Sequence, residues 1–309
     1  MFSEIKLVTL GVRDLDRSIA FFADGLGYEE IARTTLDHEG VCEAWRVPQG
    51  IAGRFAIMGV PGVESGMLRL MEWTPSGDHV WSVPARFQDL GSYAVNVRVK
   101  DVQAAWDNLA RSGARDKTRP TYWEAEQNFA AWDAQAYDPD GTVLNVFQVM
   151  GDLERSLGPF LHDRDTTEVH SLTIHCSDAR RSESFYAGLG FEALYDRVID
   201  GTWTHLGLPQ GTRLHNINLI MPGHRAGGRI ELAQYIGLPG RSLKPRTTPP
   251  ARGPLMVSLK VANLDLASVR MKNLGAKRLG SARYASPPFG DIKSATFFGP
   301  DEEIIELIE

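Results

Sequence analysis

The chain has 309 residues, 43% apolar and 23% charged, with a formal net charge of −6 and a pI of about 5.8. That length suits two domains of about 150 residues, large enough to bury their cores without disulfide staples. A mildly acidic surface lacks the concentrated basic face that binding to nucleic acid requires, and no apolar run reaches the ~20 residues of a membrane span. The only cysteines are Cys42 and Cys176, with no CxxC. The N-terminal stretch MFSEIKLVTL carries an early acid and no long apolar run. The expectation is a cytoplasmic protein without a signal peptide, whose partner is a small molecule rather than nucleic acid or membrane.

In chain order, KLVTLGV alternates as a half-buried strand should and runs into a helix that Asp14 is placed to cap. Gly27 marks the helix end, and WRVPQG (45–50) and VPG (60–62) punctuate the strands after it. A second unit begins at AVNVRV, ends its helix near Gly113 and turns at DPDG (138–141) into a last strand. After a linker over 149–167, HSLTIHC leads to a helix capped by Asp178 and ended at Gly190, followed by LGLPQG (206–211) and MPG (221–223). The stretch GLPGRSLKPRTTPPARG (237–253) reads as a long connection on the solvent side that could also serve as a lid. MVSLKV opens the last unit, with Gly275 after its helix and GPDE (299–302) before its final strand.

These segments repeat. VRDLDRSIAFFADGLGY (12–28) matches CSDARRSESFYAGLGF (176–191), and VNVRVKDVQAAWDNLARSGAR (95–115) matches VSLKVANLDLASVRMKNLGAK (257–277). The units span about 1–75, 90–150, 166–237 and 252–309, each reading strand, helix, then three strands. Four such units, with VRDLDRS and CSDARRS at strand-to-helix turns and DPDG and GPDE before last strands, resemble the vicinal oxygen chelate superfamily. That group includes glyoxalases, extradiol dioxygenases and bleomycin resistance proteins. The resemblance implies an α+β fold in which four βαβββ units form two paired-unit, cup-shaped half-barrel domains. It suggests an N-terminal domain over 1–150 without a metal site and a C-terminal domain over 166–309 with the active cup.

In that family the metal ligands come from the first strand, usually a His seven residues before the capping Asp, and from the last strand, usually a Glu. The corresponding residues here are Leu7, Ala94, Arg69 and Asn145 in the first half, and Ser171, Met256, Glu231 and Glu306 in the second. Carboxylates remain in the second half without imidazoles. His170 is one residue out of register, which should turn it away from the cup unless a bulge restores it. His175 should face the cup at a different height.

Glu231 and Glu306, facing each other across one cavity, would form an acid/base pair and are the catalytic candidates. In the first cup, Arg69 and Asn145 join Trp45, Trp73, Trp123, Trp132 and Tyr122 as a setting for an aromatic or carboxylated ligand. His175, His215 and Tyr284 are further substrate-binding candidates, with His205 and Phe289 ambiguous. Three functions follow. One is a metal-independent lyase or isomerase using carboxylate chemistry on an aromatic or carbonyl-bearing substrate. Another is an Fe- or Mn-dependent dioxygenase or glyoxalase-like isomerase with displaced ligands (His170, Glu231, Glu306). The third is a non-catalytic ligand-binding protein. No cofactor is expected in the first reading, a divalent metal in the second, and a homodimer is common in the family.

Overall fold

The computed structural model describes every residue except 37, 83–84, 127–128, 152–156, 162, 201–207 and 225. Unit one comprises β1 (Phe2–Val12), α1 (Leu15–Leu26), β2 (Glu29–Thr35), α2 (His38–Trp45), β3 (Ala52–Gly59) and β4 (Met67–Thr74). Unit two comprises β5 (Gly91–Val99), α3 (Val102–Arg111), β6 (Arg115–Glu126), β7 (Phe129–Tyr137) and β8 (Val143–Gly151). Unit three runs through β9 (Thr166–His175), α4 (Ala179–Ala187), β10 (Glu192–Asp200), β11 (Arg213–Ile220) and β12 (Arg229–Ile236). Unit four holds β13 (Gly253–Val261), α5 (Leu264–Asn273), β14 (Lys277–Ala285), β15 (Asp291–Phe298) and β16 (Ile304–Ile308).

Each unit's first helix starts where a short polar side chain takes up an orphan backbone N–H: Asp14, Asp101, Asp178 and Asn263 all accept hydrogen bonds from the first turn. Among the described residues no helix is long and apolar enough to cross a membrane.

The four units build two eight-stranded sheets, but not in the pairing expected. One sheet runs β14-β15-β16-β13-β1-β4-β3-β2 and the other β10-β11-β12-β9-β5-β8-β7-β6. Unit one therefore pairs with unit four, through antiparallel β1 and β13, and unit two with unit three, through antiparallel β5 and β9. The division at 150/166 does not separate the cups. All four first strands alternate alike, so their side chains do not choose a partner.

The connections between units pack against each other in this arrangement. The stretch 75–90, from unit one to unit two, runs beside 237–253, from unit three to unit four. Bridges join His79 to Arg252 and Leu90 to Ser242. Buried Asp89 accepts from the backbone N–H of Arg241 at 3.0 Å and from its guanidinium at 2.8 Å. Leu243 and Ala251 pack with Val80 and Leu255. The Pro-rich stretch is thus a packed strap rather than a lid.

The convex faces of both sheets and the helices share one core, in which Val8, Leu10, Leu68 and Leu70 of one sheet meet Val95, Val97, Val169 and Leu172 of the other. Period-two alternation then turns the other face of every strand into a cup.

Candidate functional site: one sealed cup and one open cup

The cup of units one and four is filled. Helix α2 lies in it, and Val41, Ala44 and Trp45 pack with Leu7, Phe55, Ile57, Met256, Tyr284 and Ile304. The helix sits so close that a Cβ on Gly40 would lie 2.1 Å from the carbonyl oxygen of Arg283, and one on Gly280 2.2 Å from that of Glu43. At the centre, Arg69 (1% exposed) and Glu306 (0%) form an ion pair at 2.8 Å. Arg69 also donates to Thr9 at 2.9 Å and lies 4.4 Å from the Trp45 ring centroid. Glu306 accepts from Ser258 (2.5 Å), Trp45 (2.8 Å), Ser294 (3.0 Å) and Tyr284. Burial alone would raise the Glu306 carboxyl, but the charge of Arg69 and these hydrogen bonds outweigh it and hold the group below its usual range. Arg69, Tyr284 and Glu306 are thus enclosed and bound to one another, although the Arg69 Nη1 is buried without a hydrogen-bond partner among the described residues. They hold a filled cup together, which corrects the expectation that they meet a substrate.

The cup of units two and three encloses a cavity of about 810 Å³. Glu231 stands mid-cavity on β12, level with Thr173 on β9. Its carboxylate accepts from Thr173 (2.7 Å), Asn96 (3.0 Å) and Asn216 (2.9 Å). Asp133, partly buried with its open side on the same cavity, is pushed up to about 6. Burial is the main cause and the charge of Glu231 the second, against an opposing hydrogen bond from Trp123 and the charge of Lys117. Lys117 is pushed down to about 8 by burial. Its ammonium donates to Gln135 at 2.6 Å and sits 4.9 Å from the Phe87 ring centroid.

One end of the cavity is aromatic. His175 stacks on Tyr93 at 4.1 Å between centroids and meets Phe87, Trp81 and Tyr235 within 5.5 Å. Burial drives His175 down to about 3, so it is neutral. The Tyr93 hydroxyl is buried and has no hydrogen-bond partner among the described residues.

At the other end β9 carries a bulge. Asn96 pairs with Ser171 and Val97 with Val169, leaving His170 as the extra residue. The bulge brings both His170 and Ser171 to the cavity, so the register argument that turned His170 away is overturned by the exception it named. Glu231 and His170 share this cup; Glu306 does not, so neither the Glu231–Glu306 pair nor the triad with His170 forms.

Other expectations divide the same way. His175 and Asn145 line the open cavity. His215 points to the opposite face of β11 from Asn216 and hydrogen-bonds Asp196 at 2.8 Å. Trp45 and Trp73 belong to the sealed cup, whereas Tyr122 and Trp123 line the open one and Trp132 packs against Tyr122 at 5.4 Å between ring centroids. Phe289 packs at the edge of the sealed cup; His205 lies outside the described residues.

Comparison with known proteins agrees with this architecture. Residues 4–146 match the family model described as the Glyoxalase/Bleomycin resistance protein/Dioxygenase superfamily. The match places residues 4–146, a little under half of the chain, in this superfamily. No curated protein matches it. Among solved structures it is similar to glyoxalase I from Zea mays, at 18% identity and a TM-score of 0.65, covering 99% of this chain and 92% of that one. It is also similar to a putative dioxygenase from Bacillus subtilis, at 12% identity and a TM-score of 0.58, covering 99% and 85%. At these identities the likeness is one of fold.

The superfamily resemblance implies a divalent ion, and the donors here do not fit one. Both oxygens of Glu231 are engaged by neutral donors. His170 lies beside the guanidiniums of Arg229 and Arg98, which with burial depress its pKa and would repel a dication. His175 is enclosed by rings. Among the described residues no group of three or more His, Cys, Asp or Glu is placed to hold a metal.

Sequence reasoning missed Asp133, Asn96, Thr173 and Arg229. The signal was present: in AWDAQAY, Asp133 and Gln135 alternate with Ala134 and Ala136, which belong to the convex core. Arg229 shares the face of Glu231 two residues before it.

Proposed function

We propose that the protein is a small-molecule enzyme of the superfamily, a metal-independent lyase or isomerase that moves a proton next to a carbonyl in the cup of units two and three. The observation that carries this reading is the Asp133 carboxyl, raised to about 6 in a cavity it shares with Glu231. A base poised just below neutral pH is mostly ionised in the cell yet strong enough to hold a proton through a turnover. Asp133 takes the proton. Glu231, oriented by Asn96, Thr173 and Asn216, favours the protonated form of its neighbour, so the proton stays with the pair until it returns to substrate. The Tyr93 hydroxyl, on a residue that lines the cavity, is the donor for the oxygen on which charge develops. Tyr93, Phe87 and Tyr235 offer ring faces to an aromatic substituent.

The test is exchange of the α-protons of aryl ketones for deuterium in D2O, followed by proton NMR. Wild-type protein should accelerate exchange with and without chelator. Asp133→Asn should lose about a hundredfold or more, while Glu306→Gln, assayed well below its melting temperature, should keep the rate. Loss of exchange on chelation would favour a metal-dependent isomerase or oxygenase. Saturable binding with no exchange of any ketone would favour a binding protein.

A further inference from the structure

The open cup is lined by more acids than bases. Among its described lining residues Glu124 and Asp200 are exposed acids, and Asp133 and Glu231 are partly buried ones. The basic side chain among them is Arg229, which donates to the carbonyl of Ala226 at 3.2 Å. It stands two residues before Glu231 on β12, roughly 7 Å away at about 3.3 Å per residue. His170 and His175 are kept neutral by burial.

The two inner carboxylates are met by neutral groups. Glu231 accepts from Thr173, Asn96 and Asn216. Asp133 accepts from the Trp123 side chain, and Lys117, whose charge it feels, donates instead to Gln135 at 2.6 Å. Burial and then the charge of Glu231 raise the Asp133 carboxyl to about 6. The cavity thus relieves the repulsion between its carboxylates with a proton, and a cation carried in by a ligand would take over that role.

Unpartnered polar groups around the same cavity point to a ligand independently. His175 is 1% exposed and Tyr93 5%, and both line the cavity. A ring N–H of His175 donates to the backbone at Phe87 and Asp89, while its Nδ1 has no partner among the described residues. That nitrogen therefore carries the lone pair of the neutral ring. The side-chain oxygens of Asn145 and Asn218 are likewise buried without partners, and Asn218 stands opposite Glu231 across the sheet. Against these acceptors the unpartnered donor is the Tyr93 hydroxyl.

We propose that the cup takes aryl ketones carrying an organic cation, an ammonium or quaternary nitrogen, beside the carbon that loses its proton. The ring lies against Phe87 and Tyr235, the ketone oxygen at the Tyr93 hydroxyl, and the charged nitrogen between Asp133 and Glu231. Unlike a metal ion, an organic cation is held by charge alone and needs no free lone pairs on Glu231. This inference deepens the acid/base reading and rests on it for the ketone, not for the cation.

Two probes test it on wild-type protein by isothermal titration. Phenacyltrimethylammonium keeps its charge at every pH, and neopentyl phenyl ketone has the same shape without the charge. At about pH 7.5 the cation should bind about tenfold or more tighter. That preference should fall severalfold at about pH 5, where Asp133 holds its proton, and again in Glu231→Gln, if folded. Equal affinities, tighter binding of the ketone, or no binding of either up to about 1 mM would overturn the proposal. So would a preference that changes neither with pH nor in Glu231→Gln, because the cation would then sit elsewhere. Preference for the cation without α-proton exchange of any ketone leaves the cation site standing and refutes the acid/base reading alone.

Discussion

Replacing Asp133 by Asn should make the protein more stable. Asp133 has a carboxyl raised from 3.8 to about 6 by burial and by Glu231. The folded state therefore holds the Asp133 proton more tightly than the unfolded chain does, and above pH 6 the fold bears the cost of ionising it. About two pKa units at 1.36 kcal/mol each give roughly 3 kcal/mol, an upper bound because the carboxyl is partly open to the cavity.

The sign follows from the direction of the shift. This contribution is most favourable below about pH 4, falls as pH rises from about 4 to 6, and is flat above. The amide carries no charge, and its oxygen can still accept from Trp123. Near pH 7.5, Asp133→Asn should raise the melting temperature by up to about 6 °C, at roughly 2 °C per kcal/mol for a chain of this size. The gain should shrink to nothing by about pH 4. Thermal melts followed by circular dichroism across that range are the assay. A variant no more stable at neutral pH, or a difference independent of pH, would refute the account of Asp133 as a destabilised carboxyl kept for its chemistry.

The sealed cup gives the opposite result. Glu306→Ala leaves Arg69 buried and unpaired, and urea unfolding should show a loss of about 3–5 kcal/mol. The double change Arg69→Met with Glu306→Met should recover most of it. Gly280→Val forces a branched side chain against the backbone of Glu43 and Ala44, and should lower stability by several kcal/mol by lifting α2 out of the cup; protease cleavage near α2 reports it. Asp89→Ala strips Arg241 of its buried partner in the strap, with an expected loss of about 2–4 kcal/mol in the same urea assay. Turnover in the open cup should fall as pH drops through about 6, as Asp133 takes up its proton.

The repeat made the fold legible. The helix caps Asp14 and Asp178, the glycine stops and the DPDG and GPDE turns sit where equivalent backbone geometry must recur, and a repeat writes such geometry four times. Which units share a sheet was not written that way, because strand pairing uses backbone groups that every first strand offers alike. The packed strap that accompanies this pairing joins Asp89 to Arg241, residues far apart in sequence. That one error moved Glu306 into a cup with Glu231 and put Arg69 beside Asn145.

The site itself was half legible. Glu231 stood out as a strand carboxylate at a family position, and the facing of His175 followed from period two. His170 could not be placed, since a bulge is a choice between near-equal registers settled by Val97 and Val169 in the core. Asp133 was readable from alternation alone, but only once the convex face of β7 was known to be the core.

The central claim is that one carboxyl in the open cup titrates near neutrality because it is buried in a cavity that it shares with a second. Carbon-13 NMR of protein labelled at the aspartate carboxyls, assigned through Asp133→Asn, measures it directly. The account predicts a midpoint at about 6 for Asp133, moving toward the ordinary aspartate range in Glu231→Gln. A midpoint already in the ordinary range in wild-type protein, or one unmoved by Glu231→Gln, would contradict it.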